Sequence, residues 1–398
     1  MVPKGWSRSQ IGEIANVQVG RDLIEDRYSE IESEKYKYPV YSNTVENRGL
    51  YGFYDFPEYP GNAVTVVGRG IGLGTAFARY ENSAFGAIGR LLVLTPKINS
   101  FDVGFLADYI NFSLIIHNES GGIPQLPGAS LSKYLVTLPP LPEQQKIAKI
   151  LSTWDKAIST TEQLLANSQQ QKKALMQQLL TGKKRLGIPD KSYEFQKTRY
   201  GIIPKDWEYP AIKDICTQVT QKNTVSAGYP VLSCSKYDGF VDSLKYFKKK
   251  VYSDDTSGYR LIHRGCFGFP SNHVEEGSIG LQNLYDTGIV SPIYVVFRAK
   301  TKRVDNDYLY AVLKTDHYRQ IFGAATNASV DRRGSLRWKE FSLIHVPLPP
   351  LDEQQKIAAV LSTSDKEITA LQQKLDALKQ EKKALMQQLL TGKRRVKV

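Results

Sequence analysis

The chain has 398 residues, which is enough for two or three globular domains. Its hydrophobic fraction of 41% and charged fraction of 23% are ordinary for a globular protein. It contains neither the apolar core of a signal peptide nor an apolar run of the ~18 residues that a membrane span needs. The formal net charge of +13 favours a polyanionic partner, although basic residues also serve solubility alone.

Residues 1–137 are predicted to form a first α+β domain. β-branched and aromatic residues between glycines and prolines predict strands, for example at 63–67 and 90–94. A shorter helical stretch covers Val103–Phe112. The three cysteines of the whole chain are widely spaced and form no CxxC pair, as expected in a reducing cytoplasm.

Residues 138–182 predict one long helix. Pro139 and Pro140 block helix upstream, and no proline or glycine interrupts the stretch from Glu143 to Thr181. Gly182 suits the helix C-cap, and the basic residues 183–185 complement the negative end of the helix dipole. A helix of about 39 residues would span ~58 Å.

The second half of the chain repeats this order. Residues 183–200 are interpreted as a linker and 201–347 as a second α+β domain, with a strand at 293–297 and a helix over Asp307–Phe322. Residues 348–392 predict a second long helix, followed by a basic tail at 393–398.

The two predicted long helices are an internal repeat. Residues 138–182 align without a gap to 348–392, and 30 of the 45 positions are identical. A weaker echo, at an offset of 201, pairs residues 3–6 (PKGW) with 204–207 (PKDW). The chain is therefore predicted to contain two equivalent half-units.

Apolar residues in both copies recur at alternating spacings of four and three. This 3.5-residue period over five heptads predicts a coiled-coil seam rather than an isolated amphipathic helix. Lys172 and Lys382 interrupt the seams at equivalent positions, where each could fix the register or extend its ammonium group to solvent. The apolar seam residues are Ile147, Leu151, Trp154, Ile158, Leu165, Leu175, Leu179, Ile357, Leu361, Ile368, Leu371, Leu375, Leu378, Leu385 and Leu389.

Equivalent half-units predict antiparallel helices. If a pseudo-two-fold axis relates the half-units, an axis perpendicular to the coil makes the helices antiparallel. The predicted fold class is therefore α+β: two mixed α/β globular domains separated by a long antiparallel two-helix coiled coil, with internal pseudo-two-fold symmetry.

This order of parts resembles that of type I restriction-modification specificity subunits. The most specific similarity lies in the helices, which open LPPLPEQQ and LPPLDEQQ and both close LLTGK. Residues 67–72 (VGRGIG) and 277–280 (GSIG) are similar to the family's target-recognition domains, though less sharply.

The resemblance implies a non-catalytic, DNA-binding role. Each variable domain would read one half of an interrupted, asymmetric site in double-stranded DNA, and the helices would set the gap. Two copies of a modification (methyltransferase) subunit would dock on the chain, and a restriction subunit would join through them. S-adenosylmethionine, ATP and Mg²⁺ are then expected only in the partner subunits, and no membrane is expected as a partner.

The lack of known catalytic motifs in the sequence supports a non-catalytic role. The chain has no NPPY or DPPY stretch and no P-loop, and the glycine-rich residues 68–74 fit a turn between strands better than a phosphate cradle. Pro189-Asp190 with Glu194 and Lys197 has the wrong spacing for a nuclease set, and the five histidines lack metal-ligand spacing.

Base readers are inferred from residue type, since arginine suits guanine and asparagine or glutamine suits adenine. For each candidate, a satisfied turn residue or a phosphate contact remains an alternative, and for the run of three lysines the phosphate contact or a solvated face is favoured. Arg332 and Arg333 are favoured most as readers because Asp331 and Gly334 indicate an exposed loop. The candidates are Ser42, Asn43, Arg69, Gln125, Lys236, Asn272, His273, Arg332, Arg333, Lys248, Lys249 and Lys250.

Partner docking is assigned to glutamines shared by the two helices. Local capping of the helix starts explains Glu143 and Glu353 but not the neighbouring glutamines. Twin patches would suit two identical partners, whereas gene duplication alone would also produce them. The candidates are Gln144, Gln145, Gln177, Gln178, Gln354, Gln355, Gln387 and Gln388.

Two other function classes remain open. A stand-alone DNA-binding regulator with a coiled-coil spacer would need no methyltransferase, so recovery of such a partner separates it from a specificity subunit. An enzyme, such as a nuclease, would modify or cleave DNA by itself.

Overall fold

The computed structural model describes residues 2–98, 100–189, 192–224, 228–272, 274–300, 302–327 and 335–397. The chain forms two units. The first unit combines Met1–Leu164 with Leu371–Val398, and the second is Leu165–Ala370. Each unit therefore contains one β-rich part and a portion of both long helices.

The helices follow the predicted pattern, since the two long ones begin directly after the Pro-Pro pairs and end before the glycines. The stretch predicted as one helix over 307–322 is instead two helices, because the chain turns at Lys314 and Thr315. The helices are α1 (Ile11–Ile14), α2 (Val103–Ser113), α3 (Gly128–Leu131), α4 (Leu141–Leu179), α5 (Ile212–Ile215), α6 (Ser243–Phe247), α7 (Asn306–Leu313), α8 (Asp316–Asn327), α9 (Trp338–Phe341) and α10 (Leu351–Leu389).

Strands of two to six residues carry the alternating and β-branched stretches. In the first unit they are β1 (Ser7–Gln10), β2 (Ala15–Val19), β3 (Tyr28–Ser29), β4 (Tyr38–Tyr41), β5 (Leu50–Tyr54), β6 (Ala63–Val66), β7 (Ala76–Arg79), β8 (Gly86–Ala87), β9 (Leu92–Pro96) and β10 (Leu135–Leu138). In the second unit they are β11 (Phe195–Thr198), β12 (Gly201–Pro204), β13 (Cys216–Val219), β14 (Leu232–Ser235), β15 (Gly239–Asp242), β16 (Arg260–His263), β17 (Cys266–Pro270), β18 (Gly280–Leu281), β19 (Thr287–Val290) and β20 (Tyr294–Ala299).

The central sheet of the first unit has the order β2-β9-β6-β7 and is antiparallel throughout. A second sheet, β3-β5-β4-β8, contains one parallel pair, β4 with β8. Helix α2 buries Phe105, Leu106 and Ile110 in the core, which also contains Ile147 of α4 and Leu389 of α10. The β-rich part and the long helices of this unit therefore share one hydrophobic core.

The second unit repeats this plan. Its central sheet, β13-β20-β17-β18, is antiparallel, and two-stranded sheets pair β14 with β15 and β16 with β19. Its core joins Phe297 and Phe322 to Leu179 of α4 and Ile357 of α10. The predicted linker 183–200 includes β11, which forms a hairpin with β12.

The long helices run antiparallel to each other in both units. In the first unit Asp155 pairs with Lys382 at 2.5 Å, and Glu162 pairs with Lys379 at 2.7 Å. In the second unit Lys172 pairs with Asp365, and Ser168 donates a hydrogen bond to Glu367 at 3.3 Å. Because the partner numbers fall on one helix as they rise on the other, the helices have opposite directions, and the predicted α+β class with paired antiparallel helices is confirmed.

Every predicted seam residue is buried or half-buried, with the smallest exposures at Ile147, Leu151, Leu179 and Ile357. The two lysines of the seam do not simply extend to solvent. The Lys382 side chain is 17% exposed and ends on Asp155 of the other helix, as Lys172 ends on Asp365.

Within the described residues, no helix is both long and apolar enough to cross a membrane.

Candidate nucleic-acid interface and helix junctions

The structure brings the four candidate base readers of the first unit into one group of loops. The side chain of Asn43 accepts a hydrogen bond from the Gly68 amide at 2.8 Å and donates one to the Gly89 carbonyl. Arg69, next to Gly68, forms an isolated antiparallel bridge with Gln125. Ser42 lies beside Asn43 and is half-buried, whereas Arg69 is exposed.

Asn43 has a structural role in this group. Its amide joins two loops through backbone groups, so the alternative of a satisfied turn residue describes it better than a base reader. Arg69 presents an exposed guanidinium beside this brace, where it can reach a base or a phosphate. The assignment of Ser42, Arg69 and Gln125 to DNA contacts stays a prediction.

The glycine-rich residues 68–74 lie in the hairpin loop between β6 and β7, as predicted for a turn. Gly72 and Gly74 both have positive φ, of 83° and 84°. A Cβ atom at Gly72 would lie 2.4 Å from Val45 Cγ1, and one at Gly74 would lie 2.5 Å from Ile116 Cγ1. Glycine is therefore needed here for backbone conformation and close packing.

A tight turn at Asn47 and Arg48, close in sequence to Ser42 and Asn43, was not predicted from residue types. Asn47 and Arg48 both adopt left-handed backbone conformations, with φ of 44° and 53°. The buried guanidinium of Arg79 donates to the Arg48 carbonyl at 2.7 Å and lies 3.4 Å from the ring centroid of Tyr41. Burial lowers the pKa of Arg79 to about 10. The only signal in the sequence was the Asn-Arg-Gly run, which marks a tight turn.

In the second unit, Lys236 lies at the tip of the β14–β15 hairpin, next to the loop between β17 and β18. A Cβ atom at Gly277 of that loop would lie 4.0 Å from Lys236 Cγ. Asn272 belongs to the same loop and is half-buried. His273, Arg332 and Arg333 lie outside the described residues, so the most favoured candidates stay predictions.

Lys314, at the end of α7, was not predicted and holds these two loops together. Its Nζ donates to the Lys236 carbonyl at 2.7 Å and to the Gly277 carbonyl at 3.0 Å. Burial lowers its pKa. Lysine in a predicted helix gives no sign of such a role, because the carbonyl partners are set by tertiary structure.

The lysine run 248–250 follows α6 and is exposed. Lys248 has a left-handed conformation with φ of 53° at the C-cap of α6, and Lys250 pairs with Asp254. The favoured interpretation of a phosphate contact or a solvated face is consistent with this position.

Each unit contains a junction where an arginine after one long helix meets a glutamate at the start of the other. In the second unit, Arg185 donates to both carboxylate oxygens of Glu353 at 2.9 and 2.6 Å. In the first unit, Arg395 donates to Glu143 at 2.8 and 2.6 Å. Hydrogen bonding to Arg395 lowers the pKa of Glu143.

These junctions correct two predictions. Glu143 and Glu353 bind arginines, rather than only capping their own helices, and Arg185 is buried rather than placed to complement a helix dipole. The reason is tertiary: each arginine follows a helix that ends where the antiparallel partner begins. Arg185 also binds Asp206, whose counterpart in the repeat is Gly5.

The weak echo of residues 3–6 at 204–207 belongs to the same junctions. Gly182 and Gly392, with φ of 67° each, end the long helices as predicted. A Cβ atom at Gly182 would lie 2.4 Å from Pro204, and one at Gly392 would lie 2.5 Å from Pro3. The repeated residues 3–6 and 204–207 therefore form the surfaces onto which the ends of the two long helices pack.

The shared glutamines divide into two groups. Gln144 and Gln354 are buried, so they are not available to a partner, contrary to the prediction. Each fixes a helix start: Gln144 accepts from the Asp102 amide and Gln354 from the Asp305 amide, both at 2.9 Å. The other six, which remain predictions for docking, are exposed: Gln145, Gln177, Gln178, Gln355, Gln387 and Gln388.

Gln177 lines a groove in the second unit of about 780 Å³. One wall is the C-terminal part of α4, with Lys172 and Met176, and the other includes Tyr200 and Ile202 of the β11–β12 hairpin.

Among the described residues, no group of three or more His, Cys, Asp or Glu side chains is arranged to hold a metal ion.

Comparison with known proteins identifies the family. Residues 3–167 and 204–380 both match the family model of the type I restriction modification DNA specificity domain. The MjaVIII specificity subunit of Methanocaldococcus jannaschii is 27% identical over 287 residues, covering 69% of this chain and 66% of that protein, slightly less than two thirds. The putative type I specificity subunit S.MpnORF507P of Mycoplasma pneumoniae is 25% identical over 360 residues, covering 88% of this chain and 87% of that protein.

The fold is also found in a solved structure. The S subunit of a type I restriction-modification system from M. genitalium has a TM-score of 0.63, with 15% identity, and the match covers 98% of this chain and 99% of that one. At this identity the likeness concerns the fold alone. Because the family model matches both halves of the sequence, the chain belongs to the family of type I restriction-modification specificity subunits, which are non-catalytic.

Proposed function

We propose that this chain reads a bipartite, asymmetric site in double-stranded DNA and holds two copies of a methyltransferase subunit, through which a restriction subunit joins. Each unit would read one half of the site in the cytoplasm. S-adenosylmethionine, ATP and Mg²⁺ would be bound by the partner subunits.

The observation that carries this proposal is a common framework bearing different loops. Both units have the same four-stranded antiparallel sheet and the same arginine–glutamate junction. The candidate readers differ, with Arg69 exposed in the first unit and Lys236 exposed in the second. Equivalent frameworks suit two identical partners, whereas unlike loops suit two different half-sites.

Charge supports DNA as the ligand. The net charge of +13 supplies counterion release on binding phosphates, and the lysine run 248–250 is exposed. Within each unit the candidate loops are braced, by Asn43 in one and Lys314 in the other. Braced loops keep readers in a fixed position, which sequence discrimination requires.

The groove beside Gln177 supports partner docking. Ile202 lines it and is 60% exposed, which is high for a large aliphatic side chain without a partner. Lys173 and Lys183 also line it, so an apolar segment with an acidic flank would complement it.

Methylation sequencing of the host genome, with and without this gene, tests the reading function. We expect a split adenine-modified motif that disappears on deletion. Restoring the gene with Arg69→Ala should relax one half of the motif only, and Lys236→Ala the other half only. If deletion of the gene removes no methylated motif, the proposal is wrong.

Pull-down of the methyltransferase subunit tests docking. Ile202→Glu should lower recovery of the subunit by about 10-fold, because a charge would replace an apolar contact. Ile123→Glu in the first unit is the matched control, since Ile123 is 57% exposed and does not line this groove. Equal recovery of the subunit with both variants would exclude the groove as the docking surface.

A further inference from the structure

One surface of the second unit combines exposed aromatic rings with lysines, and the reading of base-pair edges does not explain its aromatic rings. It consists of the β14–β15 tip, residues 235–238, and helix α6. Tyr237 is 82% exposed at this tip. Leu244, Tyr246 and Phe247 of α6 are also exposed.

The tip is held rigidly. Ser235 Oγ accepts hydrogen bonds from the amides of Tyr237 and Asp238, both at 3.3 Å. Tyr246 of α6 donates its hydroxyl proton to Asp238 at 3.1 Å, and Lys314 holds the Lys236 carbonyl. A large ring is therefore presented to solvent by a backbone that is fixed from three directions.

The charges around the tip favour an anionic chain. Lys236 Nζ lies 5.3 Å from the centroid of the Tyr237 ring. Lys248 and Lys249 are exposed, and neither forms an ion pair with another residue in the described part of the chain. Asp238 of the tip accepts hydrogen bonds from the hydroxyls of Tyr246 and Ser235.

We propose that Tyr237 stacks on an unpaired nucleobase, while the exposed lysines 248 and 249 contact the adjoining phosphates. Bases within a duplex cover each other's faces, so a free ring can stack only on a base that has left the helix. Sources of such a base are a single strand, or a duplex opened where a partner methyltransferase extrudes its target. The inference rests on the proposed DNA-binding role and adds a second mode of contact to it.

Binding of fluorescent oligonucleotides to the full chain, measured by anisotropy, tests this inference. The probes are a single strand of about 20 thymidines, an abasic strand of equal charge, and a duplex with one unpaired base. We expect Tyr237→Ala to weaken binding of the thymidine strand or the opened duplex about 10-fold and Tyr237→Phe to bind like wild type. The probe that responds identifies the source of the base.

Two controls separate stacking from other contacts. The abasic strand should bind wild type and Tyr237→Ala equally, since it offers phosphates without a ring. Leu244→Ala, a change on the same surface, should leave the affinity for every probe unchanged. If Tyr237→Ala binds all three probes like wild type, or if phosphatidylserine vesicles bind in a manner that depends on Leu244, the inference is wrong.

Genome methylation in the Tyr237→Ala strain distinguishes this inference from the proposed function. An intact split motif together with normal oligonucleotide binding overturns the stacking role and leaves the reading role standing. Loss of the motif on gene deletion remains the separate test of the reading role.

Discussion

Arg185 and Glu353 form a bidentate ion pair in which the side chains are only 3% and 7% exposed. The partners are 168 residues apart in sequence, and Trp207 donates its indole proton to the same carboxylate at 3.3 Å. The equivalent pair in the first unit, Arg395 with Glu143, differs because the arginine side chain is 43% exposed. The same type of ion pair is therefore fully buried in the second unit and partly exposed to solvent in the first unit.

Glu353→Gln should lower the free energy of unfolding by about 3 kcal/mol, because it removes a carboxylate from a buried guanidinium. Glu143→Gln is the matched variant and should cost less, since water can solvate Arg395. Urea denaturation of the full chain measures both. A larger loss in the Glu143 variant would contradict the argument from burial.

Gly182→Ala should destabilise the chain more than Gly187→Ala. Both glycines have positive φ, so a side chain costs about 1–2 kcal/mol at either position. At Gly182 the new Cβ would also meet Pro204 at 2.4 Å, whereas nothing lies within 4 Å of the Cβ position at Gly187. Thermal unfolding curves should show the difference as a lower Tm for Gly182→Ala, and equal Tm values would rule out the steric contribution.

The long helices could be predicted from local signals alone. Proline pairs, the uninterrupted stretches and the two terminal glycines all lie close in sequence to the helix ends they determine. The junctions could not be predicted, because Arg185 lies far in sequence from Glu353, and a basic residue after a helix has an ordinary local explanation in the helix dipole.

Exchanging the charges of Asp155 and Lys382 tests the ion pair across the helices. Asp155→Lys or Lys382→Asp alone places like charges together and should lower stability, whereas the double exchange should restore most of the loss. The coupling energy from the double-mutant cycle should be about 0.5–1 kcal/mol, as for partly exposed pairs. A coupling energy of zero would mean that the lysine contributes by packing alone.

Asp108→Asn should stabilise the protein in a pH-dependent manner. Burial raises the pKa of this carboxyl to about 6 from 3.8, although Lys382 acts in the opposite direction. The folded state therefore binds the proton more tightly than the unfolded state, and this contribution to stability is lost as pH rises through about 6. The variant should resemble wild type near pH 4 and be more stable by about 2–3 kcal/mol at pH 8. Urea denaturation at both pH values measures this, and an equal difference at the two would contradict it.

We expect Asn43→Ala to lower the stability of the protein, and Arg69→Ala to change DNA recognition without lowering stability. Loss of the Asn43 side chain leaves the Gly68 amide without its acceptor, which should cost about 1–3 kcal/mol. Arg69 is exposed, so Arg69→Ala should leave the Tm unchanged while relaxing one half of the methylated motif. A Tm lowered equally by both changes would show that Arg69 is also structural.

The loops illustrate where residue-type reasoning stops. Asparagine is a suitable base reader by chemistry, yet the Asn43 amide binds backbone groups of Gly68 and Gly89. Gln144 was predicted for partner docking, yet it binds the start of α2. Lys314 carried no such signal and fixes the second group of loops. Side-chain chemistry narrows the choice of residues, but only tertiary contacts decide whether a polar group is free to bind.

The composition of the first unit has a consequence for biosynthesis. The second unit is one continuous stretch, so every segment of its core has left the ribosome once Ala370 emerges. The first unit also requires Leu389 and Leu390, which are translated about 250 residues after the β-rich part that they cover. Until those leucines arrive, that part has an exposed apolar surface, so we expect it to depend more on chaperones during translation than the second unit does.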